Sequence, residues 1–107
     1  MQRRLGKTEQ AVATLERYLR EGPDDARVAA DLGGLQLELK RPAAALAAYH
    51  LAARTDPEHA PYRLALARCL RQLAMEDRAI EELEACLQLQ PDNVHCQREL
   101  RELTFGR

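Results

Sequence analysis

The cysteines and histidines are the residues of this chain best suited to metal or redox chemistry. There are three of each, namely Cys69, Cys86, Cys96, His50, His59 and His95. No two cysteines form a CxxC pair, and no histidine stands at a metal-ligand spacing from a cysteine. We therefore expect neither a metal site nor a cofactor.

A hydroxyl close to an imidazole occurs at Thr55 and His59, but both residues fall in a predicted turn after a helix. We interpret this pair as part of the turn and not as a nucleophile with its base. The acidic run Glu81-Glu82-Glu84 is interpreted as a solvated helix face. No GxGxxG, Walker, HExxH, GxSxG or EF-hand motif is present. The sequence predicts no enzymatic activity.

A fixed repeat determines the predicted architecture. Pro23, Pro57 and Pro91 recur every 34 residues, and small, aliphatic and bulky residues recur in phase with them. These recurring positions are Ala11, Ala45 and Ala79, then Val12, Leu46 and Ile80, then Leu15, Tyr49 and Leu83. Within each period the apolar residues follow a spacing of three and four, as in amphipathic helices. A period in this range is typical of stacked structural repeats.

The best copy of this pattern resembles the tetratricopeptide repeat. The matching residues are Leu32-Gly33, Ala45, Tyr49, Ala52 and Pro57, and more loosely Leu66-Ala67, Ala79, Leu83, Cys86 and Pro91. An aromatic residue that the family often has is missing at Ala29 and Arg63. The resemblance implies an all-α fold, a right-handed α-solenoid of antiparallel helix hairpins with about six helices.

We expect the 107 residues to form one domain, which we divide by the repeat. It comprises a half repeat over 1–25, full repeats over 26–59 and 60–93, and a capping helix over 94–104. Met1 to Arg4 would end an earlier helix, Leu5-Gly6-Lys7 would form a hairpin turn, and Thr8 would cap the next helix. Asp24-Asp25 and Asp92-Asn93 are predicted caps of later helices.

One set of positions that recurs every 34 residues predicts close helix packing within the repeats and a solvated face on the last helix. Gly33 is expected to be small because a side chain there would obstruct the helix that carries Ala45. The same column holds Ala67 and then Arg101, so the last helix should have a solvated outer face.

Each cysteine stands in a column that is apolar in the other repeats, so we expect buried free thiols. A disulfide or a redox role is the alternative. Free thiols favour a reducing compartment, and we expect a cytoplasmic protein. The start of the chain lacks the apolar run of a signal peptide, and no stretch approaches the ~20 apolar residues that span a bilayer.

In the tetratricopeptide repeat family the first helix of each repeat lines a groove that holds peptides. Carried over by position, this resemblance gives tentative partner-binding residues: Arg27, Asp31, Leu37, Leu64, Arg68, Arg71 and Arg98. Arg68, Arg71 and Arg98 would form a basic centre for a carboxylate, and Leu37 and Leu64 would give apolar contact. A merely solvated face of mixed charge is the alternative.

Co-chaperones of this family clamp the acidic tail of heat-shock chaperones with lysine, asparagine and arginine side chains. The corresponding residues here are Ala30, Gly34, Ala65, His95 and Glu99. None of them suits that ligand, which argues against a chaperone-tail clamp.

The sequence therefore predicts a scaffold or adaptor that binds a protein or peptide partner, possibly an acidic one, without nucleic acid or membrane. Alternatively, the chain is a structural or oligomerising segment that self-associates through an open N-terminal face at Val12, Leu15 and Tyr18. RNA binding by a pentatricopeptide-like protein is a third hypothesis. The net charge of −1, the 34-residue period and the in-phase prolines weigh against it.

Overall fold

The computed structural model describes residues 2–106, and within them the chain forms six α-helices and no strand. These are α1 (Gln2–Glu21), α2 (Ala26–Glu38), α3 (Pro42–Thr55), α4 (Ala60–Gln72), α5 (Glu76–Leu89) and α6 (Val94–Phe105). Each helix packs on the next, and the short connections make neighbouring helices antiparallel. The molecule measures 40 × 32 × 20 Å. The predicted all-α solenoid of six helices is confirmed.

The helix starts follow the predicted caps and prolines. The Asp25 carboxylate accepts a hydrogen bond from the Val28 amide at 3.1 Å, and the Asn93 side chain accepts one from the Cys96 amide at 3.0 Å. Pro42 lies in the first turn of α3, where its missing N–H leaves no hydrogen bond unmade. These residues fix where α2, α3 and α6 begin.

The two helix hairpins turn in the same way without glycine. Lys40 and Ala74, which are equivalent in the repeat, have φ of 58° and 59°. At the first turn the Arg41 amide donates to the Gln36 carbonyl at 2.9 Å, and at the second the Met75 amide donates to the Leu70 carbonyl at 2.8 Å. This pattern is the Schellman ending of a helix, and it directs the chain back along the helix just completed.

The N-terminal segment differs from the prediction. α1 is one continuous helix, so the expected turn at Leu5-Gly6-Lys7 is wrong. Thr8 does not cap a helix; its hydroxyl donates to the Arg4 carbonyl at 2.9 Å, one turn back. Gly6 has no positive φ and no neighbour within 4 Å of an added Cβ, so no contact fixes a hairpin there. Met1, which the prediction assigned to an earlier helix, lies outside the described residues.

Alanines allow the helices to approach closely. Six of them are fully buried: Ala29, Ala45, Ala52, Ala60, Ala67 and Ala79. The larger core cluster joins α4, α5 and α6 around Leu70, Leu83 and Leu103, and a smaller one joins Val12, Leu32 and Ala48. In the last helix Arg101 is exposed, which agrees with the predicted solvated face.

The prediction that the first helix exposes an apolar face is wrong for Val12. Val12 is only 5% exposed because it packs against α2 and α3, and Leu15 is partly buried beside it. Tyr18 is 50% exposed, whereas the residues equivalent to it, Ala52 and Cys86, are fully buried.

The expectation of three free thiols is wrong. Cys86 and Cys96 form a disulfide that joins α5 to α6, with Cα atoms 6.6 Å apart. Both columns are apolar because they face each other across neighbouring helices, and the same proximity permits the bond. Cys69 is free and buried, as expected. The argument for a reducing compartment loses its premise, and the cytoplasmic location stays an untested prediction.

Candidate functional site

The exposed surface of α2, α4 and α6, called the inner face below, carries the residues that the sequence selected. Side-chain contacts place α4 next to α6, and an electrostatic interaction relates α2 to α4. Arg68 and Arg71 on α4 contact Glu99 on α6, and Tyr62 on α4 lies in the electrostatic field of Asp31 on α2. Alternate helices of the hairpins therefore form one continuous surface.

The expected basic centre already holds a carboxylate of the chain itself. Arg68 Nε donates to Glu99 Oε2 at 2.5 Å, and Arg71 Nη1 donates to Glu99 Oε1 at 3.3 Å. Arg71 also contacts Glu102 at 3.1 Å. Glu99 is only 6% exposed, so its charge depends on these partners for compensation. The expectation of a cationic centre open to a ligand is therefore corrected, since Glu99 occupies it.

Arg98 does not join this cluster. Its side chain is exposed, and it forms no ion pair with any residue between 2 and 106. Helical geometry explains the difference, because Arg98 and Glu99 are adjacent in sequence and point in different directions.

The prediction that Leu64 contacts a partner is also corrected. It is buried in the core with Ala60, Ala67 and Leu83, so it cannot present an apolar surface to a partner. Leu37 is partly buried, and Arg27 and Asp31 are exposed on α2. Of the two expected apolar contacts, only Leu37 retains accessible surface.

Tyr49 reaches the inner face from α3, and the sequence analysis did not place it there. Its ring lies over Gly33, where an added Cβ would stand 2.7 Å from Cε2 of Tyr49. Gly33 is therefore small because the helix that carries Ala45 lies against it, as expected, and the group on that helix that requires it is the Tyr49 ring. The Tyr49 hydroxyl lies beside Gly34, 3.6 Å from an added Cβ. The sequence signal that could have indicated this contact was the bulky Tyr49 in the helix that follows the two adjacent glycines, Gly33 and Gly34.

Tyr49 forms one wall of an open pocket of about 590 Å³ at the α1 end of the inner face. The other lining residues are Leu15, Ala30, Asp31, Gly34, Leu35 and Glu38. Burial raises the pKa of the Tyr49 phenol above 10.0; Cys69 and Asp31 raise it further, and Arg68 partly offsets them. At neutral pH the phenol keeps its proton and can donate a hydrogen bond into the pocket.

Tyr62 lies where α2 meets α4. Its ring centroid is 4.2 Å from that of His59. Burial raises the pKa of Tyr62, Asp56 and Asp31 raise it further, and Arg27 lowers it. Tyr62 and Tyr49 thus supply neutral aromatic surface on either side of Asp31.

The remaining reactive groups offer little chemistry. Burial raises the pKa of the Cys69 thiol to about 11, so it stays protonated and weakly nucleophilic at neutral pH. Within residues 2–106 no three metal-binding side chains come together. No described helix is long and apolar enough to cross a membrane.

The inner face is balanced in charge. Four of its arginines are matched by four carboxylates on the same helices, namely Arg27, Arg68, Arg71 and Arg98 by Asp31, Glu38, Glu99 and Glu102. The surface therefore offers hydrogen bonds, aromatic contact and local charges, without a strong overall field.

Solved structures with similar folds contain helical repeats of the same arrangement. "Crystal structure of MamA" has a TM-score of 0.87 at 18% identity, covering 92% of this chain and 58% of that one. "MamA MSR-1 C2" has a TM-score of 0.78 at 24% identity, covering 92% of this chain and 56% of that one. This chain thus spans little more than half the length of those MamA chains.

A third similar structure is the first tetratricopeptide repeat domain of Spaghetti (RPAP3), bound to the HSP90 peptide SRMEEVD. Its TM-score is 0.83 at 20% identity, covering 94% of this chain and 80% of that one. At these identities the likeness shows the fold alone. Among curated proteins, none matches the sequence significantly.

The family itself is shown by the sequence. The model described as tetratricopeptide repeat matches residues 2–69 and again 36–103, two overlapping matches offset by the 34 residues of the repeat. Together they cover nearly the whole chain, and the structure has the helix hairpins that the repeat implies. The chain belongs to the tetratricopeptide repeat family.

Proposed function

We propose that this chain is a protein-interaction module whose inner face binds a peptide or helical segment of a partner protein. The observation that carries the proposal is the open pocket between Tyr49, Asp31 and Glu38, which has an apolar wall and unpaired polar groups. Repeat proteins of this family are generally scaffolds without catalytic activity, and the RPAP3 domain with a similar fold was solved with a bound peptide. Division into a half repeat, two full repeats and a capping helix is part of the proposal.

The partner's contacts differ from those first expected. A partner carboxylate at Arg68 and Arg71 would have to displace Glu99, which is buried and bonded to both arginines. The pocket at Tyr49 requires no such displacement. We therefore assign the main contact to the pocket, with Arg27, Asp31 and Leu37 beside it, and give Arg68 and Arg71 a secondary role. An acidic partner remains compatible with Arg27 and with Arg98.

The test fills the pocket at Tyr49 and leaves the ion pairs of Glu99 with Arg68 and Arg71 unchanged. Gly34→Arg places a long side chain into the pocket, whereas Ala13→Arg adds the same group to an exposed position of α1. Both variants are compared with the native chain by affinity capture from a lysate of the source cells, with quantitative mass spectrometry. Circular dichroism confirms that both are folded.

We expect Gly34→Arg to reduce capture of a specific partner about tenfold or more, as loss of a central contact does, and Ala13→Arg to leave it unchanged. Equal capture by all three proteins would refute binding at the inner face. An Arg68→Glu/Arg71→Glu variant is a poorer test, because it would set two new carboxylates against Glu99 and unfold part of α6.

A further inference from the structure

A second cavity lies on the opposite side of the molecule from the pocket at Tyr49. It has a volume of about 430 Å³ and is formed between α3 and α5, with α4 beneath. Leu46 and Leu51 contribute partly exposed apolar lining, and Leu66 and Leu70 lie buried beneath them. The small side chain of Ala47 keeps the cavity open. This volume is typical of sites for small ligands, and the lining is divided about equally between polar and apolar surface. We call it the outer pocket.

The rim of the outer pocket carries two arginines that form no ion pair within the described part of the chain. They are Arg54 on α3 and Arg78 on α5. Glu82 also lines the pocket, but its Oε1 already accepts a hydrogen bond from Nη1 of Arg63 at 3.1 Å. His50 is the other polar group at the rim. Two unpaired guanidinium groups beside a partly apolar cavity favour an anionic ligand with an apolar body.

This combination is not a general consequence of the repeat. The residues 34 positions before Ala43 and His50 of the lining are Glu9 and Glu16. Glu9 forms an ion pair with Arg41 at 3.5 Å. Arg17 and Arg20, which stand 34 positions before Leu51 and Arg54, balance these carboxylates, so the equivalent surface between α1 and α3 has mixed charge and lacks a counterpart of Arg78.

We propose that the outer pocket binds a small amphiphilic carboxylate, that is, an alkyl or aryl chain ending in one carboxylate group. The chain would lie on the partly exposed Leu46 and Leu51, and the carboxylate would lie at the rim, which Arg54 and Arg78 make cationic. The proposal does not depend on partner binding at the inner face, because the outer pocket and the pocket at Tyr49 have no lining residue in common.

The probe is octanoate, titrated into the ¹⁵N-labelled full chain and followed by amide chemical shifts. Protonated octylamine has the same alkyl chain with the opposite charge and serves as the ligand control. We expect octanoate to shift amides of α3 and α5 around the pocket along a saturable curve. Octylamine should bind at least tenfold more weakly, because the rim repels it.

Two variants locate the site. Arg54→Gln/Arg78→Gln removes both exposed cations and should weaken octanoate binding about tenfold, as expected for two partly solvated ionic contacts. Arg17→Gln/Arg20→Gln removes two exposed cations of α1 and should leave binding unchanged. Ala47→Phe fills the pocket without changing charge and should abolish binding.

Three results would overturn the proposal. One is equal binding of octanoate and octylamine, which would indicate unspecific apolar contact. Another is equal weakening by both arginine double variants, which would indicate an effect of net charge. The third is octanoate shifts on the inner face that persist in Ala47→Phe.

Discussion

At the scale of single residues, two neighbouring glycines of α2 have opposite roles. A Cβ at Gly33 would stand 2.7 Å from the Tyr49 ring, whereas one at Gly34 would stand 3.6 Å from the Tyr49 hydroxyl, an ordinary contact. We expect Gly33→Ala to lower the free energy of unfolding by about 1 to 3 kcal/mol, because the ring must move. Gly34→Ala should raise it by about 0.5 to 1 kcal/mol through helix propensity.

Urea unfolding followed by circular dichroism measures both changes. In a Tyr49→Leu background the cost of Gly33→Ala should shrink, since the ring that it meets is gone. Equal effects of the two alanine substitutions would show that the ring does not pack on Gly33.

The sequence showed these positions only in part. It indicated that Gly33 must be small, because the column holds Ala67 in the next repeat. It could not show that Tyr49 reaches across to the inner face, since that depends on the rotamer and on the spacing between α2 and α3. The same limit applies to Glu99: the sequence places it near Arg68 and Arg71, but only packing determines that its carboxylate fills the centre.

At the scale of the helices, the disulfide ties the last helix to its neighbour. Cys86 and Cys96 are 10 residues apart, and a cross-link closing a loop of that size stabilises a fold by roughly 2 to 3 kcal/mol. We expect Cys86→Ala/Cys96→Ala to lose about this amount in urea unfolding. A thiol reductant should destabilise the native chain by a similar amount and leave the double variant unaffected.

Thiol counting provides the control. Under denaturing, non-reducing conditions the native chain should show one titratable thiol, Cys69, because Cys86 and Cys96 are bonded to each other. Three titratable thiols in protein purified without reductant would contradict the disulfide. They would restore the prediction from the sequence that all the cysteines are free.

Helix boundaries illustrate what local sequence determines. Asp25 and Asn93 start their helices as predicted, and Pro42 starts α3, because each acts through its own side chain within one turn. Gly6 occupies the repeat position of Lys40 and Ala74, yet the helix continues through it. A turn in this fold needs a second helix packed against the first, and that is a property of the tertiary structure.

At the scale of the whole molecule, the predicted self-association through the N-terminal face depends on the exposed apolar residues of α1. Leu5 is 47% exposed and Tyr18 is 50% exposed, but along the helix they stand about 20 Å apart. Charged, exposed residues occupy the surface between them, among them Glu9, Glu16 and Arg17. Stable interfaces bury a continuous surface of about 1,000 Å² or more, and two separated side chains do not supply it.

We therefore expect sedimentation equilibrium to give the monomer mass of 12.1 kDa over a wide range of protein concentration. The informative control is Tyr18→Lys compared with Phe105→Lys, which adds the same charge at the opposite end of the chain, where Phe105 is also exposed. If the mass rises with concentration and only Tyr18→Lys prevents it, the N-terminal face is a contact surface. The oligomerising alternative would then replace the inner face as the main function, because an array that extends through α1 uses its end and not its groove.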